Sequence, residues 1–248
     1  MSKKRVLHWN RIYCMDALKG LKYLDDECVD LVVTDPPYNI ASNSRTTMQN
    51  GVPISTLKAW GAWDQFHPFD YDVFIMAVIS ECYRILKPGG ALYMFTAREH
   101  SGFFVRQAIA RGFMYRNQLI MVKTNPLPSM SKSNWRSAFE ICLYVSKGKP
   151  RTFSFVSQQL CKNVYSYANG AKKSKHPTEK PLAFIRQIVE VSSNPGDRVL
   201  DPFMGSGTTA VGCKELGRQY LGFDTSVEYV KMARERLKGV KAQRAKAA

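Results

Sequence analysis

The chain has 248 residues, enough for one large α/β domain with a small insert. No apolar run reaches the roughly 18–20 residues of a membrane span, and the start, MSKKRVLHW, lacks the apolar core of a signal peptide. A cytoplasmic protein with no membrane partner is expected, and its formal charge of +16, from 36 Lys and Arg against 20 Asp and Glu, points to a polyanion, most simply nucleic acid.

Arg11 to Cys14 reads as a short strand with Asp16 at its end, followed by a helix over Ala17 to Leu24. Val29 to Thr34 is apolar and β-branched except for Asp30, and reads as a buried strand that Pro36 and Pro37 end abruptly. The turn Asp35-Pro36-Pro37-Tyr38 delivers a carboxylate and a flat ring to one place, and the fixed proline φ angles hold its shape. A planar, amino-bearing ligand would suit it. The polar stretch 41–69, with Trp60 and Trp63, is expected to be an ordered lid. Tyr71 to Leu86 has helical periodicity and stops at Lys87-Pro88-Gly89-Gly90.

A strand over Ala91 to Phe95 follows, then a helix over Glu99 to Arg111. Asn117 to Lys123 and Phe139 to Ser146 read as two more strands, joined by a Pro/Ser/Lys-rich loop carrying Trp135. Lys147 to Lys175 is basic, shows little periodicity and interleaves Phe153, Phe155, Tyr165 and Tyr167. Pro181 to Val191 reads as a helix. Val199 and Leu200 are strand-like, Thr208 to Leu216 helical, Tyr220 to Phe223 a strand ending at Asp224, and Ser226 to Leu237 a helix. Alternating strands and helices predict a mostly parallel sheet covered on both faces. One domain over 1–240 is expected, with a basic, disordered tail at 241–248. The six cysteines (14, 28, 82, 142, 161 and 213) form no CxxC pair and have no histidine at ligand spacing, so buried free thiols are expected and no metal.

The second constellation is DPFMGSGTT, Asp201 to Thr209, between a strand and a helix. Gly205 and Gly207 would let backbone approach a ligand, and the helix start offers N–H groups. The next strand ends in Asp224, where nucleotide-type folds place an acceptor for ribose hydroxyls. There is no GKS or GKT, so a ligand with a ribose and a carboxylate but no phosphate fits better.

The combination of DPPY at Asp35–Tyr38 and DPFMGSGTT at Asp201–Thr209 resembles the S-adenosylmethionine-dependent amino-group DNA methyltransferases, in the β arrangement with DPPY first. HPTEKP at His176–Pro181, LKPGG at Leu86–Gly90, and Trp63-Asp64 after DPPYN match the same family, over nearly the whole chain. The resemblance implies a Rossmann-like seven-stranded sheet, mostly parallel, with an antiparallel edge hairpin made by Asn117–Lys123 and Phe139–Ser146. It implies a cofactor site of Asp16, Asp35, Thr178, Lys180, Asp201, Phe203, Gly205, Gly207, Thr208, Thr209 and Asp224. For Asp16 a helix N-cap is the competing role, and for Lys180 a solvated side chain.

Asp35, Pro36, Pro37 and Tyr38 are the implied catalytic set. Asp35 and the Pro36 carbonyl would accept the two amino hydrogens, and Tyr38 would stack on a base flipped out of the duplex. Family members usually pair Asp at this position with adenine N6 and Ser with cytosine N4, so adenine is implied. Met121 stands where the family often has an aromatic, which leaves the second face of the base pocket open. Methylation of cytosine N4 or of RNA adenine, and a DNA-binding module without catalysis, are the alternatives; a dinucleotide oxidoreductase leaves DPPY unexplained.

The stretch from Lys123 to Lys180 holds eleven basic residues and only two acids, Glu140 and Glu179. Residues 125–175 are therefore the expected target-recognition segment on double-stranded DNA. Lys132, Asn134, Trp135, Arg136, Lys172, Lys173 and Lys175 are its candidate contacts, with Gln158 a further base reader. The resemblance also leaves room for a homodimer and a cognate restriction endonuclease.

Overall fold

The computed structural model describes residues 6–39, 48–49, 52–53, 67–126, 128, 132–168 and 180–241, with 48–49 and 52–53 by backbone alone. In chain order the elements are β1 (Arg11–Cys14), α1 (Ala17–Leu21), β2 (Val29–Thr34), β3 (Met48–Gln49), β4 (Val52–Pro53), α2 (Pro68–Ile85), β5 (Leu86–Thr96) and, after a 3-10 turn at Arg98–His100, α3 (Ser101–Arg111). Then come β6 (Met114–Lys123), β7 (Phe139–Ser146), β8 (Val164–Tyr167), α4 (Leu182–Ser192), β9 (Arg198–Asp201), α5 (Thr208–Glu215), β10 (Gln219–Asp224) and α6 (Val227–Lys238).

One sheet has the order β1-β10-β9-β2-β5-β7-β6-β8, and β3 pairs separately with β4. The pairs from β1 through β5 are parallel, and β7 runs antiparallel to both β5 and β6. Every side chain of β2 is buried: Leu31 and Val33 face one core with residues of α4, α5 and α6, and Val29 and Val32 face the other with residues of α1, α2 and α3. A strand that packs on both faces needs apolar residues in a row rather than in alternation. Among the described residues, no helix is long and apolar enough to cross a membrane.

The structure departs from the sequence reading in three places. The sheet has eight strands rather than seven, because Val164–Tyr167 pairs parallel with β6. The β6/β7 hairpin is therefore covered on its outer side and is not the edge. The helix ends at Ile85, just ahead of Lys87 to Gly90 as expected, but β5 begins at Leu86 rather than Ala91 and takes Lys87 to Gly90 in as a bulge: the register steps from Val29↔Leu86 to Leu31↔Ala91. Gly89, at φ +80°, makes that bulge, donating its N–H to the Lys147 carbonyl and accepting at its own carbonyl from the Arg151 N–H. Of the six free cysteines, Cys82, Cys142 and Cys213 are buried, whereas Cys14 is exposed and Cys28 and Cys161 half-buried.

At the amino ends of the strands, buried Asp30 of β2 anchors the bulge. It accepts from Lys87 Nζ at 2.8 Å, from the Arg198 backbone N–H at 2.9 Å and from Arg151. These donors overcome burial and hold its carboxyl below the usual carboxylate range.

Candidate cofactor and base site

At the carboxyl ends of β1, β10, β9 and β2 lies a cavity of about 460 Å³. Open parallel sheets bind ligands at this end, where strand order reverses. DPPY forms its wall beyond β2, and the Asp201–Ser206 turn forms the wall beyond β9. The two walls are knitted together by Asp201, which is buried. Its Oδ1 accepts from Thr34 Oγ1 at 3.0 Å and from the Phe203 backbone N–H at 3.1 Å, and its Oδ2 accepts from Thr209 Oγ1 at 2.7 Å. Burial pushes the Asp201 carboxyl up to about 7 against the pull of those donors.

Asp224 ties the glycine-rich turn to the next element. Its Oδ2 accepts from Gly205 N at 2.9 Å and its Oδ1 from Ser226 N at 2.8 Å. Burial raises its carboxyl too. Arg236 of α6 clamps the same turn from behind, donating to the Ser206 carbonyl at 2.7 Å and to Ser206 Oγ at 2.9 Å. Asp16 caps α1, accepting from Lys19 N at 3.0 Å, and also lines the cavity, so both of its expected roles are geometrically open to it.

In the DPPY turn, Tyr38 donates its hydroxyl to Asp35 Oδ1 at 2.5 Å, and Lys180 donates to Asp35 Oδ2 at 2.6 Å. Lys180 is only 8% exposed, so the solvated alternative for it is excluded. The turn is pinned from α2, where the buried Tyr71 hydroxyl donates to the Pro37 carbonyl at 2.9 Å.

The cavity thus brings together Asp16, Asp35, Pro36, Pro37, Tyr38, Lys180, Asp201, Phe203, Gly205, Thr208, Thr209 and Asp224. Gly207 is not among its walls. At φ +85° it caps α5, and a Cβ there would lie 2.7 Å from the Ala233 Cβ, so its smallness serves the packing of α5 on α6. Met121 is fully buried in the core and is not on the wall of this cavity. Tyr165 packs on Phe184 with ring centroids 4.8 Å apart, and Tyr167 reaches Glu140, so both belong to the sheet rather than to a DNA-facing loop.

Lys132, Asn134, Trp135 and Arg136 lie on an exposed segment away from the cavity. Trp135 is 94% exposed. Thr178, Lys172, Lys173, Lys175, Trp60 and Trp63-Asp64 lie outside the described residues, as does most of the 41–69 stretch; its last residues, Pro68 and Phe69, begin α2.

Sequence reasoning missed Phe74, which meets Phe203 edge-on at 5.8 Å, and Phe95, Ser226 and Tyr229 on the cavity wall. It also missed Glu140, an ion-pair partner of Lys180. The signal for Glu140 was its isolation as one of two acids in a basic stretch.

Asp16, Asp35, Asp201 and Asp224 line the cavity, and Lys180 is the one basic side chain on its wall among the described residues. A wall of carboxyl acceptors whose one basic side chain is already paired with Asp35 opposes a diphosphate and favours a ligand carrying positive charge and hydroxyl donors. The aromatic rings of Tyr38, Phe74, Phe95 and Phe203 add flat apolar surface. The residues present fit a nucleoside bearing a sulfonium and an amino acid.

Comparison with known proteins gives the same direction. Residues 29–235 match the N6/N4 methyltransferase family model, described as DNA methylase. The chain is 31% identical over 253 residues to the Type II methyltransferase M.HinfI of Haemophilus influenzae, covering 94% of this chain and 69% of that protein. It is 32% identical over 237 residues to the Type II methyltransferase M2.DpnII of Streptococcus pneumoniae, covering 90% and 87%. Among solved structures, the complex of M1.HpyAVI with SAM superposes with a TM-score of 0.70 at 27% identity, covering 92% of this chain and 98% of that one.

Proposed function

The chain belongs to the N6/N4 DNA methylase family and is a DNA methyltransferase, and from that premise we propose that the group it modifies is the N6 amino group of adenine in double-stranded DNA. S-adenosyl-L-methionine is the cofactor. When bound, it supplies an activated methyl group.

The observation that carries the reading is the placement of Asp35 on one wall of the cavity and the Gly205–Asp224 pair on the opposite wall. Asp224, Asp16 and Phe203 would hold the nucleoside part, with the ribose hydroxyls on Asp224. Gly205, Thr208 and Thr209 would hold the methionine part. Asp35 and the Pro36 carbonyl accept the hydrogens of the base's amino group, and Tyr38 stacks on the ring. An exocyclic amine is a weak nucleophile because its lone pair is delocalised. Two acceptors favour the pyramidal form that frees the pair, so catalysis rests on positioning and electrostatics.

The base must leave the duplex to reach Asp35. Residues 125–175, through Lys132, Asn134, Trp135 and Arg136 and the lysines at 172, 173 and 175, make the DNA contacts. A single permuted domain over 1–240 carries both activities, and a homodimer and a cognate restriction endonuclease are its expected partners.

The test is incubation with methyl-labelled cofactor and duplex DNA from a methylation-deficient strain, followed by digestion to nucleosides. Label in N6-methyladenine is expected. Label confined to N4-methylcytosine would overturn the base assignment. No label, with cofactor bound normally, would overturn catalysis and leave a DNA-binding module.

A further inference from the structure

Behind Asp35 runs a line of charge, buried at Lys180 and half-buried at Asp35, Glu140 and Lys123, that the reading above does not use. Lys180 Nζ stands between two carboxylates, 2.6 Å from Asp35 Oδ2 and 3.4 Å from Glu140 Oε2. The rings of Phe95 and Tyr38 flank it, with centroids 5.1 and 5.3 Å away. Glu140 projects from β7. Lys123 takes its Oε1 at 2.7 Å, and the Tyr167 hydroxyl of the eighth strand reaches the same oxygen at 3.5 Å. Its Oε2 is buried and makes no hydrogen bond among the described residues. An acceptor oxygen therefore faces the ammonium without being bonded to it.

Both oxygens of Asp35 already accept from the chain's own donors. Oδ2 keeps a second lone pair for a base amino group, but an ammonium 2.6 Å away draws on the same negative charge, so the bond to the base strengthens as Lys180 moves off. A buried ammonium stripped of its partner is costly, because little water reaches it to replace the lost interaction. Glu140 is the other carboxylate paired with Lys180 in the described structure. Closing that gap from 3.4 Å to an ordinary charge-assisted hydrogen bond of roughly 2.8 Å is a side-chain adjustment. Lys123 and Lys180 together hold the Glu140 carboxyl down at about 2 despite its burial, so it stays anionic and ready to receive.

We infer that Glu140 is a positioning residue that takes the Lys180 ammonium from Asp35 when the target amino group docks. The inference rests on the proposed base-binding role of Asp35. Lys180 holds Asp35 before the base arrives, and Glu140 gives the ammonium its second resting place. Tyr167 and Lys123 fix Glu140 from the far side, which gives β8 a part in the site.

The test compares Glu140→Gln, Lys180→Met and the double variant. Single-turnover methylation is measured on duplex DNA from a methylation-deficient strain, with cofactor and DNA affinities measured separately by calorimetry and anisotropy. Glu140→Gln is expected to slow transfer tenfold or more while both affinities stay within twofold. In the Lys180→Met background the same change should cost less than twofold, since the group it acts through is gone. An equal loss in both backgrounds, or no loss in either, overturns the inference. A crystal structure of Asp35→Ala gives an answer independent of activity. Lys180 Nζ should lie within about 3 Å of Glu140 Oε2, and an ammonium turned elsewhere overturns the inference. A wild-type chain that methylates no DNA counts against the proposed function, and the Asp35→Ala structure still decides where Lys180 goes.

Discussion

Thr34 and Asp201 lie 167 positions apart, yet Thr34 Oγ1 donates to Asp201 Oδ1 at 3.0 Å across the junction of β2 and β9. The bond joins the ends of the two strands that carry the two signature turns. Asp201 is the hub of that junction. Its carboxyl sits at about 7 in the fold against an ordinary 3.8, so the folded state holds a proton that the unfolded chain releases. Stability from this group is full below about pH 4 and is lost as pH rises toward 7. Asp201→Asn keeps the shape and removes the titration. It should flatten the dependence of melting temperature on pH between 4 and 7. Asp201→Ala strands the donors of Thr34, Thr209 and Phe203 and should cost about 2 kcal/mol or more, read by denaturant unfolding.

Glu140 has the opposite sign. Its carboxyl is lowered from 4.5 to about 2, so its stabilisation is present above pH 4.5 and is lost as pH falls toward 2. Wild-type melting temperature should drop more steeply over that window than that of Glu140→Gln. Parallel curves would show that Glu140 does not gain its charge from Lys123 and Lys180.

Gly207→Ala should destabilise by about 2 kcal/mol or more, from a positive φ and from an overpacked helix contact. Adding Ala233→Gly removes the 2.7 Å clash but not the backbone strain. The double variant should therefore recover part of the lost stability in thermal unfolding. Full recovery would mean that φ costs nothing here.

Tyr71→Phe removes one hydroxyl, the one that holds the Pro37 carbonyl. A loss of about 1 kcal/mol in stability is expected. The larger effect should be on methyl transfer, because the DPPY turn loses its anchor to α2, while cofactor affinity measured by calorimetry stays near wild type. A change confined to cofactor affinity would place the anchor's influence on the wrong wall.

The strands were legible where their side chains are buried on both faces or change character at their ends. Phe139–Ser146 has the expected bounds, and Val29–Thr34 is buried throughout. β8 was not legible: it has four residues in a polar, basic stretch, and it is a strand because β6 offers it an edge. Lys87–Gly90 carries the residues of a helix stop, and α2 does end at Ile85, but nothing local shows that the segment is also a bulge anchored by Asp30 and the Lys147–Arg151 segment. In the site, Asp35, Tyr38, Gly205 and Asp224 could be read because each sits at a strand end beside a turn signal. Glu140 stood out as an isolated acid, but its partner could not be read, since Lys180 comes across it only where the chain enters α4. Gly207 was legible as a glycine but not for its reason, which is a neighbouring helix.

The ladder between β2 and β9 has just two residue pairs, Leu31↔Val199 and Val32↔Leu200. On one side of it, β2 to β8 form a run continuous in sequence; on the other, β9 and β10 join β1. Closing this seam pairs Leu31 with Val199, far apart in the chain, so it is a slow and entropically expensive step in assembling the fold. The Thr34–Asp201 bond that links the two signature turns forms only with it. A molecule held between Asp35 and Gly205 therefore acts as a staple across the shortest ladder of this sheet, and its binding energy reappears as resistance of the whole sheet to coming apart.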